Sequence, residues 1–121
     1  MSDPCPCGSG LPYDDCCGPL LTTTRLPGTA LELMRSRYTA YYYGNAEHLW
    51  RTWHPASRPA EVTLDRDLTW TGLRILDVVD GEPGDDTGVV EFVASYDGGS
   101  LRERSLFERR GGRWLYRGEQ P

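Results

Sequence analysis

Lysine is absent from this chain of 121 residues, and no cysteine follows position 17. The first absence removes the phosphate-loop reading of Gly8-Ser9-Gly10, because such a loop needs a strand before it and a Lys after it. The second confines every thiol to one short stretch. Apolar runs are short too: none approaches the roughly 20 residues that a membrane-crossing helix requires, so no membrane insertion is expected. Met1-Ser2-Asp3-Pro4 has neither a basic nor an apolar leader region, which leads us to expect a cytoplasmic protein. Positive charge is in deficit, the formal net charge being −5. General affinity for a polyanion such as nucleic acid is therefore disfavoured.

What is present starts with Cys5-Pro6-Cys7, eight further residues, and then Cys16-Cys17. Four thiols this close suit one tetrahedral zinc, which takes four thiolates at about 2.3 Å in a closed structural site. Disulfides are the alternative. Pairing Cys5 with Cys7 and Cys16 with Cys17 would close two very short, strained rings. The other two pairings are sterically open but need an oxidising compartment. Gly8-Ser9-Gly10 can adopt the positive φ angles of a chain turning back round a metal, and its N–H groups can point at sulfur. Pro4, Pro6, Pro12 and Pro19 stiffen a segment too short for a core of its own. Such a segment folds when metal binds. We therefore expect zinc on Cys5, Cys7, Cys16 and Cys17.

The run Cys5-Pro6-Cys7-Gly8-Ser9-Gly10, followed by Tyr13, Cys16, Cys17 and Gly18, resembles the SEC-C motif at the C-terminus of the SecA translocation ATPase. In that family the pattern binds zinc, usually with His or Cys in last place, where this chain has Cys17. Leu33-Met34-Arg35-Ser36-Arg37-Tyr38, Thr52-Trp53-His54-Pro55, Glu103-Arg104-Ser105 and Gly112-Arg113-Trp114 are similar to the bacterial YchJ family, which joins a SEC-C motif to a nuclear-transport-factor-like domain. The resemblance covers essentially the whole chain. It implies a cone of helices on a curved antiparallel sheet, often with a pocket at the mouth, and no settled activity. Some members carry a second cysteine cluster at the C-terminus; Gly118-Glu119-Gln120-Pro121 does not.

The chain divides into a zinc knuckle over residues 1–19, a linker over 20–28 and an α+β domain over 29–121. Thr29 and Glu32 fit a reciprocal capping box, and Leu31, Met34, Tyr38 and Tyr41 recur at helical spacing, widened by Leu33 and Tyr42. Gly44 suits the left-handed end of that helix and Asn45 the cap of the next. The second helix is predicted from Ala46 to about Trp53, where His54-Pro55 stops it. A short edge strand is predicted at Glu61 to Leu64. Strands then follow at Thr69 to Val79, Val89 to Tyr96, Leu101 to Arg110 and Arg113 to Arg117, with hairpin signals at Asp97-Gly98-Gly99 and Gly111-Gly112. Helices before an antiparallel meander give an α+β fold. Val90, Phe92, Ala94 and Tyr96 share one strand face, and Leu101, Glu103, Ser105 and Phe107 another, so the helices should cover that side. Acids gather between residues 61 and 97 and Arg near the C-terminus. Arg102, Arg104, Arg109, Arg110, Arg113 and Arg117 are read as a solvated set that neutralises the acidic middle.

Polar residues inside core-like patterns are the pocket candidates: Arg37, with Ser36, on the long helix, His54 at the end of the second, and Glu103 and Ser105 on the sheet. His54 could act as a general base oriented by Glu103. The structural alternative gives His54 a backbone carbonyl and pairs Glu103 with Arg37 or Arg104. His48 is read as a surface residue. The Tyr41-Tyr42-Tyr43 run wraps round a helix, so one ring must face outward and could contact a partner. A base-stacking platform of Trp and Tyr is disfavoured by the negative charge. Two functions result. One is an adaptor whose knuckle meets a protein partner, which the SecA resemblance implies belongs to the translation or export machinery. The other is a small-molecule enzyme or ligand carrier using the cone pocket near His54. The adaptor is the main reading, and no catalytic residue is assigned.

Overall fold

The computed structural model describes residues 3–65 and 67–120; Met1, Ser2 and Pro121, which enter the readings of the two termini, lie outside the described residues. The first elements belong to the cysteine segment. Pro4 and Pro12 form an antiparallel bridge, and Cys5 N–H donates to the Leu11 carbonyl at 2.9 Å. A single 3₁₀ turn at Tyr13–Asp15 and a helix α1 at Gly18–Leu21 follow. This helix runs from the end of the expected knuckle into the first two residues of the expected linker. Pro19 is pre-set for a first helical turn, and Leu20 is buried.

Helix α2 spans Ala30–Tyr43. Thr29 caps it by accepting from Glu32 N–H at 3.1 Å. The reciprocal half of the capping box is replaced, because the Glu32 carboxylate takes Arg25 at 2.7 Å. Gly44 closes the helix with φ 77°, a left-handed turn that only glycine enters without strain. Burial is broader than one stripe: Ser36, Arg37, Thr39 and Ala40 are buried along with Leu33, Met34 and Tyr38. The helix is enclosed by the knuckle region, by α3 and by the sheet, so it presents several inner faces. Tyr41, Tyr42 and Tyr43 are all exposed at the end of the helix, where the expectation was one.

Helix α3 spans Ala46–Arg51, capped by Asn45, whose Oδ1 accepts from His48 N–H at 3.0 Å. It ends short of Trp53, which instead forms a parallel bridge to Tyr116. Residues 61–64 form no strand. The outer rim of the last strand is met by residues 52–54 instead: Tyr116 N–H donates to the Thr52 carbonyl and His54 N–H to the Tyr116 carbonyl, both at 2.8 Å.

Four strands, β1 (Trp70–Asp80), β2 (Thr87–Tyr96), β3 (Gly99–Arg110) and β4 (Arg113–Glu119), form one antiparallel sheet in sequence order. Asp97-Gly98 and Gly111-Gly112 turn the two later hairpins, with all three glycines at positive φ. Register shifts interrupt β1 between Trp70 and Gly72 and between Ile75 and Asp77. Such irregularities bend a strand and increase its twist. Val90, Phe92, Ala94, Ser105 and Phe107 are buried on the inner face as their alternation predicts, whereas Leu101 is exposed. Outside, Arg102 pairs with Glu91 at 2.6 Å and Arg104 with Asp77 and Glu91 at 2.9 and 3.0 Å. Arg109 and Arg117 reach Asp86 and Glu108, each at 3.5 Å. These Arg side chains serve as a charge-neutralising set, each exposed pair adding little stability.

Helix and sheet are in direct backbone contact where α2 begins. Ala30 N–H donates to the Gly81 carbonyl at 3.0 Å. A Cβ on Gly88 would lie 2.6 Å from Gly81 Cα and 2.9 Å from Ala30 Cβ. Two glycines and an alanine therefore let the helix start against the sheet.

Candidate metal centre and aromatic cavity

The hairpin of the N-terminal segment brings Cys5 and Cys7 back over Cys16 and Cys17. Gly8 and Gly10 make the turn with φ 77° and 86°. All four cysteines are buried and free of disulfides, and their sulfurs all lie within 4.8 Å of one another. Cys7 Sγ and Cys16 Sγ are 3.5 Å apart, and Cys16 Sγ and Cys17 Sγ 3.9 Å. Ligand sulfurs on a tetrahedral ion with bonds of about 2.3 Å stand about 3.8 Å apart. The donor set therefore fits a single metal ion, and the four cysteines could hold one.

The charge on these thiols points the same way. A hydrogen bond from Cys17 holds the Cys7 thiol well below the usual thiol range. That bond to Cys7, with burial, pushes Cys17 up, and burial pushes Cys16 up. Four crowded sulfurs cannot all ionise unaided; a bound cation removes that conflict. Ser9 Oγ lies 3.1 Å from Cys16 Sγ and accepts from Leu11 N–H at 3.2 Å, so it can donate to a thiolate.

The cysteines share one core with the rest of the chain. They belong to the same buried cluster as Leu33, Tyr38, Phe92 and Phe107. Arg35 donates to the Cys7 carbonyl at 2.7 Å, and Thr39 Oγ1 lies 3.8 Å from Cys5 Sγ. Tyr13 meets Tyr43 edge-on, with ring centroids 5.4 Å apart.

Of the pocket candidates, Arg37, Glu103 and Ser105 line one cavity of about 310 Å³ between α2 and the inner face of the sheet. His54 is not among its walls. Its Nε2 lies 3.4 Å from Glu108 Oε2, and its Nδ1 accepts from Ala56 N–H at 3.0 Å. The expected pairing of His54 with Glu103 is thus corrected: backbone bonds hold His54 at the rim of β4, and Glu108 lies on the opposite face of β3 from Glu103. Glu103 Oε2 accepts from Tyr116 Oη at 3.0 Å and from Ser105 Oγ. Arg104, the other expected partner, faces outward.

Arg37 is buried without a carboxylate in direct contact among the described residues. Its Nη1 donates to the Leu49 carbonyl and to Thr52 Oγ1, both at 2.8 Å. The guanidinium lies 4.6 Å from the Tyr116 ring centroid and 5.1 Å from that of Trp53. Burial lowers its pKa to about 10, so the charge survives at neutral pH.

His48 was missed by the sequence reading, which left it on the surface; it is 2% exposed. Arg51 Nη2 donates to its Nδ1 at 3.1 Å. Nε2 must then carry the proton and donate to Ser36 Oγ at 3.0 Å, and Ser36 donates to the Leu33 carbonyl at 2.8 Å. Burial, with Arg51 and Arg37 nearby, pushes the His48 pKa down to about 3. The ring is a neutral strut joining α2 to α3. The only sequence signal was its position one residue before Leu49 at the centre of a short helix.

Among the described residues no helix is long and apolar enough to cross a membrane. The profile of the YchJ middle NTF2-like domain matches residues 29–118, and that of the SEC-C motif matches residues 1–19. A UPF0225 protein of Streptomyces coelicolor is 54% identical over 113 residues, covering 93% of this chain and 91% of its own. Another, from Deinococcus radiodurans, is 46% identical over 118 residues, covering 93% and 85%. The solution structure of a SEC-C motif containing protein from Rhodopseudomonas palustris superposes with a TM-score of 0.82 at 36% identity, covering 99% of this chain and 98% of that one. A crystal structure of a SEC-C motif containing protein from Psychrobacter arcticus shares the fold, with a TM-score of 0.74 at 23% identity over 100% of this chain and 81% of that one. The cysteine cluster and the helices on a four-stranded antiparallel sheet are thus the two parts of a recurrent α+β architecture, and this chain belongs to the YchJ-like UPF0225 family.

Proposed function

We propose that Cys5, Cys7, Cys16 and Cys17 hold one structural zinc ion, and that the protein is an adaptor whose metal-braced knuckle meets a protein partner. The observation that carries the metal reading is the closure of the site: four buried sulfurs within 4.8 Å of one another fill a tetrahedral shell. That leaves no position for a water or substrate. An all-thiol set selects a thiophilic ion, zinc above calcium or magnesium. It also suits a reducing compartment such as the cytoplasm, where disulfides do not accumulate.

The adaptor reading is supported by what surrounds the site. Leu11 is 50% exposed on the knuckle, and Tyr42 and Tyr43 are 47% and 55% exposed on the adjoining end of α2. Tyr43 meets the knuckle through Tyr13, and exposed Tyr rings of this kind are enriched at the core of contact surfaces. The SEC-C resemblance suggests a component of translation or export as the partner.

Elemental assay tests the metal: one zinc per chain is expected, with no thiol reacting under native conditions. Affinity capture tests the adaptor by comparing the parent with Leu11→Ser and Tyr43→Ser variants that keep their zinc. Loss of a common partner from both supports the reading; identical capture by all three overturns it.

A further inference from the structure

We propose that the cavity between α2 and the inner face of the sheet binds a flat, uncharged heteroaromatic molecule carrying both a hydrogen-bond acceptor and an N–H donor. The cavity volume of about 310 Å³ lies at the lower end of the range for small-molecule sites. Its walls include the rings of Tyr38, Tyr41, Trp53, Trp70, Phe92 and Tyr116. Tyr38 meets Trp70 and Trp53 meets Tyr116 edge-on, with centroids 6.1 and 5.2 Å apart. Ring faces not consumed by partners can stack on a planar guest. Tyr41 and Leu101 line the cavity and are 36% and 46% exposed, so they mark its mouth.

The polar atoms define the guest further. Among the described residues, Tyr38 Oη and Trp53 Nε1 are the buried side-chain N and O atoms without a hydrogen-bond partner, and both residues line this cavity. Buried polar groups are ordinarily satisfied, and each exception calls for a missing partner. Both are closed off from the cavity as it stands and open onto it only when their rings turn; both can donate, so the partner each would then meet is an acceptor. Glu103 supplies the complementary group. Its two protein hydrogen bonds fall on Oε2, which leaves Oε1 to accept an N–H. Arg37 and Glu103 contribute opposite charges to the same cavity. A charged guest would gain from one and be opposed by the other; a neutral guest meets no such conflict. None of the wall residues is a candidate metal ligand, so the inference stands apart from the adaptor reading and can fail alone.

The test uses quinazolin-4-one as the probe, a neutral bicycle with a carbonyl and an N–H. Naphthalene and 2-naphthoate serve as apolar and anionic comparators of similar breadth. Titration of the metal-loaded full chain is followed through the Trp53 and Trp70 indole N–H resonances. The expected Kd for quinazolin-4-one is about 1 mM or tighter, reasonable for so few atoms, and at least about tenfold below that of either comparator. Glu103→Gln and Tyr38→Phe should each weaken it by roughly tenfold, and Leu101→Trp, which fills the mouth, should abolish it. Should Tyr38→Phe fail to fold, Glu103→Gln and Leu101→Trp carry the test. No saturable binding overturns the proposal. So does equal binding of naphthalene, which would make the cavity a plain apolar void. Tighter binding of 2-naphthoate would assign it to anions through Arg37 and overturn it too, as would binding unaltered in the variants.

Discussion

Arg35 and Cys7 are joined by a single charge-assisted hydrogen bond of 2.7 Å from the middle of α2 to the carbonyl between the two pairs of cysteines. Residues 28 positions apart are fixed by it, and the knuckle is pinned to the helix at its own turn. Arg35→Ala should lower stability by about 1.5–3 kcal/mol, the usual worth of a bond to a charged donor, while zinc content stays the same. Thermal unfolding with elemental assay checks both. A melting temperature equal to the parent's would show that the contact is dispensable.

Removing the proposed zinc should reach far beyond residues 1–19. The cysteine sulfurs belong to the same buried cluster as Phe92 and Phe107, so stripping the ion leaves four desolvated thiols against the main core. A ligand present at about a thousand times its Kd contributes roughly 4 kcal/mol. Chelation should therefore lower the melting temperature by many degrees and broaden the amide spectrum of β2 and β3. A chelated protein that melts like the parent would exclude this coupling.

His48 makes stability depend on acid. Its pKa falls from the ordinary 6.5 to about 3 in the folded protein, because burial penalises the charged ring. The unfolded chain takes up a proton below pH 6.5 that the native chain refuses, so the contribution is intact above that value and declines as pH falls towards 3. The slope approaches about 1.4 kcal/mol per pH unit at the middle of the window. His48→Gln should remove one proton's worth of this slope between pH 6 and 4 in urea titrations, even if it lowers stability at pH 7.

Gly88→Ala should be costly although alanine is small. The added carbon would meet Gly81 Cα at 2.6 Å and Ala30 Cβ at 2.9 Å, both backbone-anchored atoms that cannot swing aside. A loss of about 1–3 kcal/mol is expected from overpacking, read as a shift in urea midpoint at constant m-value. Gly84→Ala, with no atom within 4 Å of the new carbon, is the control and should change little.

Much of this molecule was legible because its signals are local. Thr29, Gly44 and Asn45 mark helix boundaries through their own backbone chemistry, Gly98 and Gly112 mark turns, and alternation along β2 and β3 names the inner face. The four cysteines were legible for the same reason, since their spacing is covalent. What was not legible depends on distant neighbours. His48 looks exposed until Ser36 and Arg51 arrive on either side of its ring. His54 was matched to Glu103 by chemistry alone, yet the odd-even difference between positions 103 and 108 decides which carboxylate it meets. The strand expected at residues 61–64 had suitable residues, but the bonds at the β4 rim come from Thr52 and His54. The enclosure of α2 on several sides could not be read from its period, because a one-stripe pattern assumes one partner layer.

The two backbone bonds that sew Tyr116 to Thr52 and His54 have an effect on the molecule's behaviour in a crowd. An unpaired strand margin recruits strands from other copies and seeds aggregates. On the β4 flank that invitation is withdrawn within the chain itself, by a stretch that is neither helix nor strand. Loss of these two bonds would accordingly be felt in how concentrated solutions age as well as in how a single molecule folds.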